Sequence, residues 1–274
     1  MVEGGTGRPA PALAGLVDRY LGYRIEGHPP GIHRGLPSRH LALNISLTDP
    51  IDLTDLPAQA AGRFAAPLGG LHAAPVTIAH DGNQVGVSID VTPLGARRLL
   101  GVPAGELASL VVDLGDVLGP AADELRERLV LSDGWDERFA VVDEVLTRQL
   151  VDAPAPPPEV DRAHDLVVAT GGAIGVAELA RHVGWSRRHL ASRFATHLGV
   201  SPKALARIVR FQRSRRLLDR PDPPTVAWVA AECGFYDQAH LVRDWQDLAG
   251  CAPTTWWSDE VLPSVQDADG AFAR

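Results

Sequence analysis

The stretch that decides the fold reads VAELARHVG at residues 176–184 and continues as WSRRHLASRFATHLG at residues 185–199. Apolar residues recur at helical spacing in the first part, and Gly184 is a typical helix end. Ser186 is a good N-cap for a second helix. That helix carries one apolar stripe, formed by Leu190, Phe194 and Leu198. The pattern therefore predicts a helix, a tight turn and a second helix.

The opposite face of the second helix is polar. At 100° per residue, Arg188 and Ser192 point away from the apolar stripe, and Arg187 and Arg193 lie close to them in sequence. Small polar residues and arginines on one helix face suit a helix that lies in the major groove of DNA, where arginine contacts guanine.

The same pattern recurs about fifty residues later. Residues 226–234 read VAWVAAECG and again end at glycine, and a helix is predicted at residues 237–249. Its predicted buried stripe is Leu241, Trp245 and Leu248. Ala239, Arg243 and Gln246 point outward, Gln238 lies in the first turn, and His240 lies at the edge of the outward face. Two such helices about 34 Å apart would contact successive major grooves.

Charge is distributed very unevenly between these two units. The whole chain has a formal net charge of −8, yet residues 181–220 contain eleven Lys and Arg residues and one acid, a balance of +10. Residues 221–260 contain one arginine and seven acids, a balance of −6. Since phosphate attraction supplies much of DNA affinity, we expect the first unit to dominate binding. The alternative is that the acids simply point into solvent.

Residues 159–257 resemble the DNA-binding domain of the AraC/XylS family of bacterial transcription regulators. The resemblance depends on SRRHLASRF at residues 186–194, on VAAECGFYDQAHLVRDW at residues 229–245 and on GCAP at residues 250–253. It implies DNA contacts from Arg188 and Ser192 in the first unit. In the second unit it implies contacts from Gln238, Ala239, His240 and Arg243. Together with the charge pattern, the expected DNA-binding residues are Arg187, Arg188, Ser192, Arg193, Gln238, His240 and Arg243.

The rest of the chain predicts an α+β architecture with a separate N-terminal domain. Residues 41–47 and two runs flanking Asp81-Gly82-Asn83 alternate as strands, and we expect a hairpin at that turn. Two amphipathic helices follow within residues 119–150, and they either cover the sheet or form a seam for a second subunit. The expected domains are a β-rich sensor or dimerisation domain (1–152), a Pro-rich linker (153–158), a DNA-binding domain (159–260) and a flexible tail (261–274).

The resemblance implies that the N-terminal domain senses a ligand or dimerises. Arg39 and His72 are candidate contacts for a polar or anionic effector, and Trp135 is a candidate for the wall of an apolar pocket. None of the histidine spacings in this half is that of an ordinary metal site, so no metal and no cofactor are expected. A dimerisation module without any small ligand is the alternative.

An enzyme joined to a DNA-binding domain is a further alternative. Such chemistry needs a nucleophilic cysteine outside the DNA-binding domain, but Cys233 and Cys251 both lie inside it and are expected to be buried thiols. Hydrolase, zinc-protease and phosphate-binding motifs are also missing from the sequence. We therefore expect a one-component regulator in the cytoplasm that is not an enzyme and makes no membrane contact. Its expected partners are double-stranded DNA and, for an activator, RNA polymerase.

Overall fold

Residues 1–259 are described by the structure, a computed structural model, and the predicted tail at 261–274 lies outside them. The strands are β1 Val2–Gly7, β2 Val17–Ile25, β3 Gly31–Gly35, β4 Leu41–Ser46, β5 Ile51–Asp55, β6 Gly62–Phe64, β7 Pro67–Gly69, β8 Val76–His80, β9 Gln84–Val91 and β10 Val111–Asp113. They precede almost all of the helical structure, which confirms the predicted α+β class.

Helices make up the second half of the chain. They are α1 Ala96–Leu100, α2 Leu114–Leu118, α3 Pro120–Leu131, α4 Trp135–Arg148, α5 Pro158–Ala169, α6 Val176–His182, α7 Arg187–Leu198, α8 Pro202–Leu218, α9 Val226–Glu232, α10 Gln238–Ala249 and α11 Pro253–Asp259. Short 3-10 helices occur at Pro11–Leu13 and Ala104–Leu107. Among the described residues, every helix is too short or too polar to cross a membrane.

The strands form two antiparallel sheets. One has the strand order β1-β2-β9-β4-β7-β10 and the other the order β3-β8-β5-β6. The alternation predicted for residues 41–47 is present in β4, where Leu41, Leu43 and Ile45 are fully buried. Their side chains therefore belong to the largest buried cluster of the described residues.

The predicted hairpin at residues 81–83 is wrong. β8 pairs with β3 and β5 in the smaller sheet, whereas β9 pairs with β2 and β4 in the larger one. Gly82 has φ +95° and lies against the carbonyl of His28, and the Asn83 side chain accepts a hydrogen bond from the Gly27 amide at 3.0 Å. The turn therefore joins the two sheets and docks on a neighbouring turn, a contact that no local pattern specifies.

The helix pair α3 and α4 covers the larger sheet. Gly5 and Gly22 lie under the Trp135 ring, and Gly7 lies under the Phe139 ring. Because these glycines have no side chains, α4 can pack closely on the strands. The sequence left open whether the apolar stripes cover the sheet or form a seam for a second subunit. The stripes are buried within this chain, so they cover the sheet. Val130 and Leu131, at the end of α3, remain exposed.

The two halves of the chain pack against each other. Residues 151–157 contain no helix or strand, and Pro158 begins α5, as expected for a proline in the first helical turn. The largest buried cluster nevertheless runs from the sheet into α7 and α8. Leu36 is buried among C-terminal residues, and the Gln212 side chain bonds the Ser38 hydroxyl at 3.3 Å and the Arg39 amide at 3.2 Å.

Candidate nucleic-acid interface

The first helix-turn-helix unit consists of α6 and α7. Gly184 has φ +72° in the turn, and the Trp185 amide donates to the Ala180 carbonyl at 2.9 Å. The Ser186 hydroxyl then accepts from the His189 amide at 3.2 Å, which confirms the predicted N-cap. These local bonds fix the direction in which α7 leaves the turn.

Helix α7 separates its apolar and basic side chains as predicted. Leu190, Phe194 and Leu198 are fully buried. On the opposite face Arg188 and Ser192 are exposed, and so is Arg187 at the start of the helix, whereas Arg193 is half-buried. Within residues 1–259, the structure shows no ion pair for Arg187, Arg188 or Arg193. The charges of this face are therefore available for an external anion.

The second unit, α9 and α10, has the same backbone plan. Gly234 has φ +74° in the turn, and the Asp237 carboxylate caps α10 by accepting from the His240 amide at 2.7 Å. Gln238 and Arg243 are exposed on the outer face. Leu241, Trp245 and Leu248 are fully buried, as predicted.

His240 is held inside the turn of this second unit. Its Nδ1 accepts from the Tyr236 amide at 3.3 Å, and its ring makes an edge-on contact with Phe235 at 5.4 Å between centroids. The ring is only partly exposed. The arrangement gives His240 a structural partner on the chain, so it is less available for DNA than Gln238 and Arg243.

Arginines of α8 neutralise the acids of the second unit. Arg207 donates to Asp244 at 3.0 Å and to Asp247 at 2.6 Å, and Arg213 is paired with Glu232. Burial of the Arg207 guanidinium opposes its charge, but the hydrogen bonds that it donates to both aspartates outweigh burial and raise its pKa. The acids counted in residues 221–260 are thus neither all free nor all solvated.

The basic block at 181–220 is correspondingly less available than its composition suggests. Arg210 donates to the Gly172 carbonyl at 2.7 Å and lies 4.0 Å from Asp244, and Arg215 is fully buried. With Arg207 and Arg213, four of the eleven cations stabilise the fold. Fewer cations of the block therefore remain to attract phosphate than the count of eleven indicates.

A cavity of about 100 Å³ lies between the two sheets. His72 lines it, together with His33, Asn44, Val76 and Trp256 from α11. Burial lowers the pKa of His72, although its Nδ1 hydrogen bond to the Ala74 carbonyl acts in the opposite direction. Burial and the charge of His80 lower the pKa of His33 to about 4, so the His33 imidazole is neutral at physiological pH.

The other two predicted ligand residues do not line this cavity. Trp135 packs on the glycines of β1 and β2, with Arg138 4.8 Å from its ring. Arg39 lies 3.4 Å from Asp18 at the contact between the two halves of the chain. Asp18 also groups with His40 and Asp90, but Arg19 binds Asp90 at 2.7 Å, so the group is an ion-pair network that already contains its cations.

Sequence reasoning missed two aromatic residues of the second half. Trp256 contributes to the cavity wall while its ring lies 5.5 Å from that of Trp245 in α10. Tyr236 is 92% exposed in the turn of the second unit. Tyr236 directly precedes the predicted helix at residues 237–249, which could have marked it as a turn residue, whereas only the tertiary structure brings Trp256 to the sheets.

Comparison with known proteins agrees with this geometry. A family model described as a helix-turn-helix domain matches residues 179–258. A probable thc operon regulatory protein of Rhodococcus erythropolis is 33% identical over 81 residues, which are 29% of this chain and 24% of that protein. The chain thus matches about a quarter of the length of this curated relative.

Solved structures share the fold across both halves. A ToxT variant from Vibrio cholerae without ligand has a TM-score of 0.55 at 10% identity, over 86% of this chain and 96% of the other. Wild-type ToxT bound to an unsaturated fatty acid has a TM-score of 0.50 at 11% identity, over 93% of this chain and 94% of the other.

Two helix-turn-helix units joined by a long helix define the C-terminal half as a double helix-turn-helix DNA-binding domain. Residues 179–258 thus match a helix-turn-helix family model and the chain shares the fold of ToxT, in agreement with the resemblance of residues 159–257 to the AraC/XylS family.

Proposed function

We propose that this chain is a transcription regulator that binds specific sites on double-stranded DNA through α7 and α10. The observation that carries the proposal is the outer face of α7, where exposed arginines that have no acidic partner within residues 1–259 flank a small polar residue. Such a face fits the major groove, in which arginine forms two hydrogen bonds to guanine. The proposed partner is chromosomal DNA, and the proposed location is therefore the cytoplasm of a bacterium.

Within this function, α7 supplies most of the affinity and specificity. Arg187, Arg188, Ser192 and Arg193 form its contact surface, and Gln238 and Arg243 form the smaller contact surface of α10. His240 supports the turn of α10 and contributes less. The acids paired with arginines of α8 repel phosphate less than unpaired acids would. The second unit can therefore approach the duplex, although it adds little affinity itself.

Selection of duplexes from a random library, followed by titration with the full chain at several salt concentrations, tests the proposal. We expect a recurring sequence among the selected fragments and an affinity that falls steeply with salt. Purified chain that binds no duplex, or binds all duplexes equally, would contradict it.

We further propose that the cavity between the sheets takes a small effector. ToxT, which shares the fold, is known with a bound fatty acid. The cavity here is about 100 Å³, and an engineered cavity of about 150 Å³ holds one benzene ring, so a ligand the size of a single ring suits it better than a long chain. The Nδ1 of His33 is buried without a hydrogen-bond partner in the described residues and offers the ligand a polar contact.

Thermal unfolding against a panel of single-ring compounds and long-chain acids tests the effector. A ring compound should raise the melting temperature of the chain, and Val76→Trp, which fills the cavity, should abolish the rise. If no compound shifts unfolding, the N-terminal domain is better explained as a dimerisation module.

Two protein partners are also proposed. One is a second copy of this chain, bound through residues 119–150 near exposed Val130 and Leu131. The other, for an activator, is RNA polymerase.

An enzyme in the N-terminal half receives no support from the cysteines. Cys233 and Cys251 are both buried thiols in the C-terminal half, as predicted. Burial raises the pKa of the Cys233 thiol to about 11, so it is protonated at neutral pH and a poor nucleophile. We therefore propose a non-enzymatic regulator.

A further inference from the structure

The N-terminal domain is seated directly on the end of the first DNA-recognition helix. A side chain at Gly105, in the 3-10 helix Ala104–Leu107, would place its Cβ 2.5 Å from the Ala195 carbonyl oxygen of α7. From the other side, a Cβ at Gly199 would lie 2.8 Å from the Cβ of Ala108. Two glycines thus allow the backbones of the two domains to approach closely, and the last turn of α7 is fixed to the N-terminal domain.

Helix α1 leads into this contact and carries two arginines. α1 ends at Leu100, three residues before Pro103, which is the N-cap of the 3-10 helix. Arg97 is half-buried and Arg98 exposed. Arg97 lies close enough to α7 to interact electrostatically with His197. Burial first, and then the charges of Arg193 and Arg97, lower the pKa of that histidine.

These cations from two domains have no acidic partners among the residues that the structure describes. In the described part of the chain no ion pair involves Arg97, Arg98 or Arg193. The arginines of α8 contrast with them, since Arg207 and Arg213 each bind a carboxylate. Like charges that converge without a counter-charge repel one another, and an external polyanion would relieve that repulsion.

The position of these cations next to α7 indicates which polyanion they would contact. A recognition helix inserts its N-terminal part into the groove, where Arg187 and Arg188 lie, so its C-terminal end is close to the sugar-phosphate backbone beside the groove. Arg97 lies in α1, the helix that leads into the contact with that C-terminal end. We propose that Arg97 of the N-terminal domain contacts a phosphate of the same duplex that α7 binds, so that both domains form one DNA-binding surface.

This proposal rests on the proposed function, because it requires α7 to bind DNA. A purely structural role for Arg97 is the competing explanation, since a cation near the last turn of a helix stabilises the helix dipole. The two explanations differ in what they predict for salt dependence. A phosphate contact changes the number of counterions released on binding, whereas a structural cation changes only the stability of the fold.

The test uses the full chain with Arg97→Gln, with Arg97→Lys as the charge-preserving variant and Arg63→Gln as a control that removes one exposed cation from β6. Affinity for a selected duplex and for an unrelated duplex is measured by fluorescence anisotropy between about 50 and 200 mM salt. We expect Arg97→Gln to lower the salt slope by about 0.9 and to weaken both duplexes a few-fold to the same extent. Arg97→Lys and Arg63→Gln should keep the wild-type slope.

An unchanged slope for Arg97→Gln, alongside salt-sensitive wild-type binding, would overturn the proposal and leave the proposed function intact. The same would follow if Arg63→Gln lowered the slope equally, since the effect would then reflect net charge alone. A lower melting temperature with an unchanged slope would assign Arg97 to the helix dipole. Absence of wild-type binding to any duplex would overturn both proposals together.

Discussion

The two helix-turn-helix units have the same backbone plan, but their charged side chains differ in whether they pair with other residues of the chain. Both have a glycine with positive φ in the turn, a side-chain cap on the second helix and a fully buried apolar stripe. In the first unit Arg187 and Arg188 face outward, and no acid in the described part of the chain pairs with them. In the second unit Asp244 and Asp247 are bound to Arg207 of α8. A motif thus fixes the shape of a unit, while the surrounding helices decide how much charge it offers to DNA.

The largest effect is expected from breaking the buried part of the second unit's ion-pair network. Asp244→Ala leaves Arg207 and Arg210 without their shared carboxylate, and loss of one partner of a buried pair costs about 3 kcal/mol of unfolding free energy. Chemical denaturation of the variant measures this cost. Asp222→Ala, which removes an exposed acid of the same region, is the control and should change stability little. Equal losses would show that α8 does not hold the second unit through this network.

The next largest effect concerns DNA affinity and tests the ranking of the units. Arg188→Ala should weaken binding to a selected duplex about tenfold or more, because it removes a contact worth about 1–3 kcal/mol. Arg243→Ala should cost clearly less. Anisotropy titrations at matched salt compare the two, and circular dichroism checks that both variants are folded. Equal losses would refute the ranking.

Removal of the helix caps should affect the two units alike. Ser186→Ala and Asp237→Ala each remove a side-chain oxygen that accepts an amide hydrogen bond at the start of the second helix, at 3.2 and 2.7 Å, and each should destabilise the chain by about 1 kcal/mol. Urea denaturation measures both, with Ser186→Asp as a variant that keeps a capping side chain. A much larger loss of unfolding free energy for one cap would contradict the prediction and would mean that the two units differ in local stability despite their similar backbones.

The smallest effect is expected from the exposed part of the ion-pair network. Asp247 is 63% exposed, and Asp247→Ala should cost about 0.5 kcal/mol or less, as for other surface pairs. The same denaturation series compares it with Asp244→Ala. A loss as large as that of Asp244→Ala would indicate that the network acts as a single unit, so that burial would not explain the difference.

Local patterns predicted the helices well and the sheet connections poorly. The caps at Ser186 and Thr225 and the stripe of α7 depend on residues three or four positions apart, so the sequence specifies them directly. The turn at residues 81–83 has good hairpin residues, yet β8 and β9 belong to different sheets. Turn chemistry indicates that the chain reverses but does not specify which strands pair.

The sequence by itself determined the outward position of Arg188 and Ser192, because helical periodicity and the buried stripe of α7 leave them only one direction to face. Only the tertiary structure decided which arginines are free, which side chains line the cavity and which residue of the N-terminal domain reaches α7. Ion pairs such as Arg207–Asp244 and the approach of Trp256 to the sheets join residues far apart in the chain. Coulomb attraction and packing depend on distance in space, and composition counts charges without placing them.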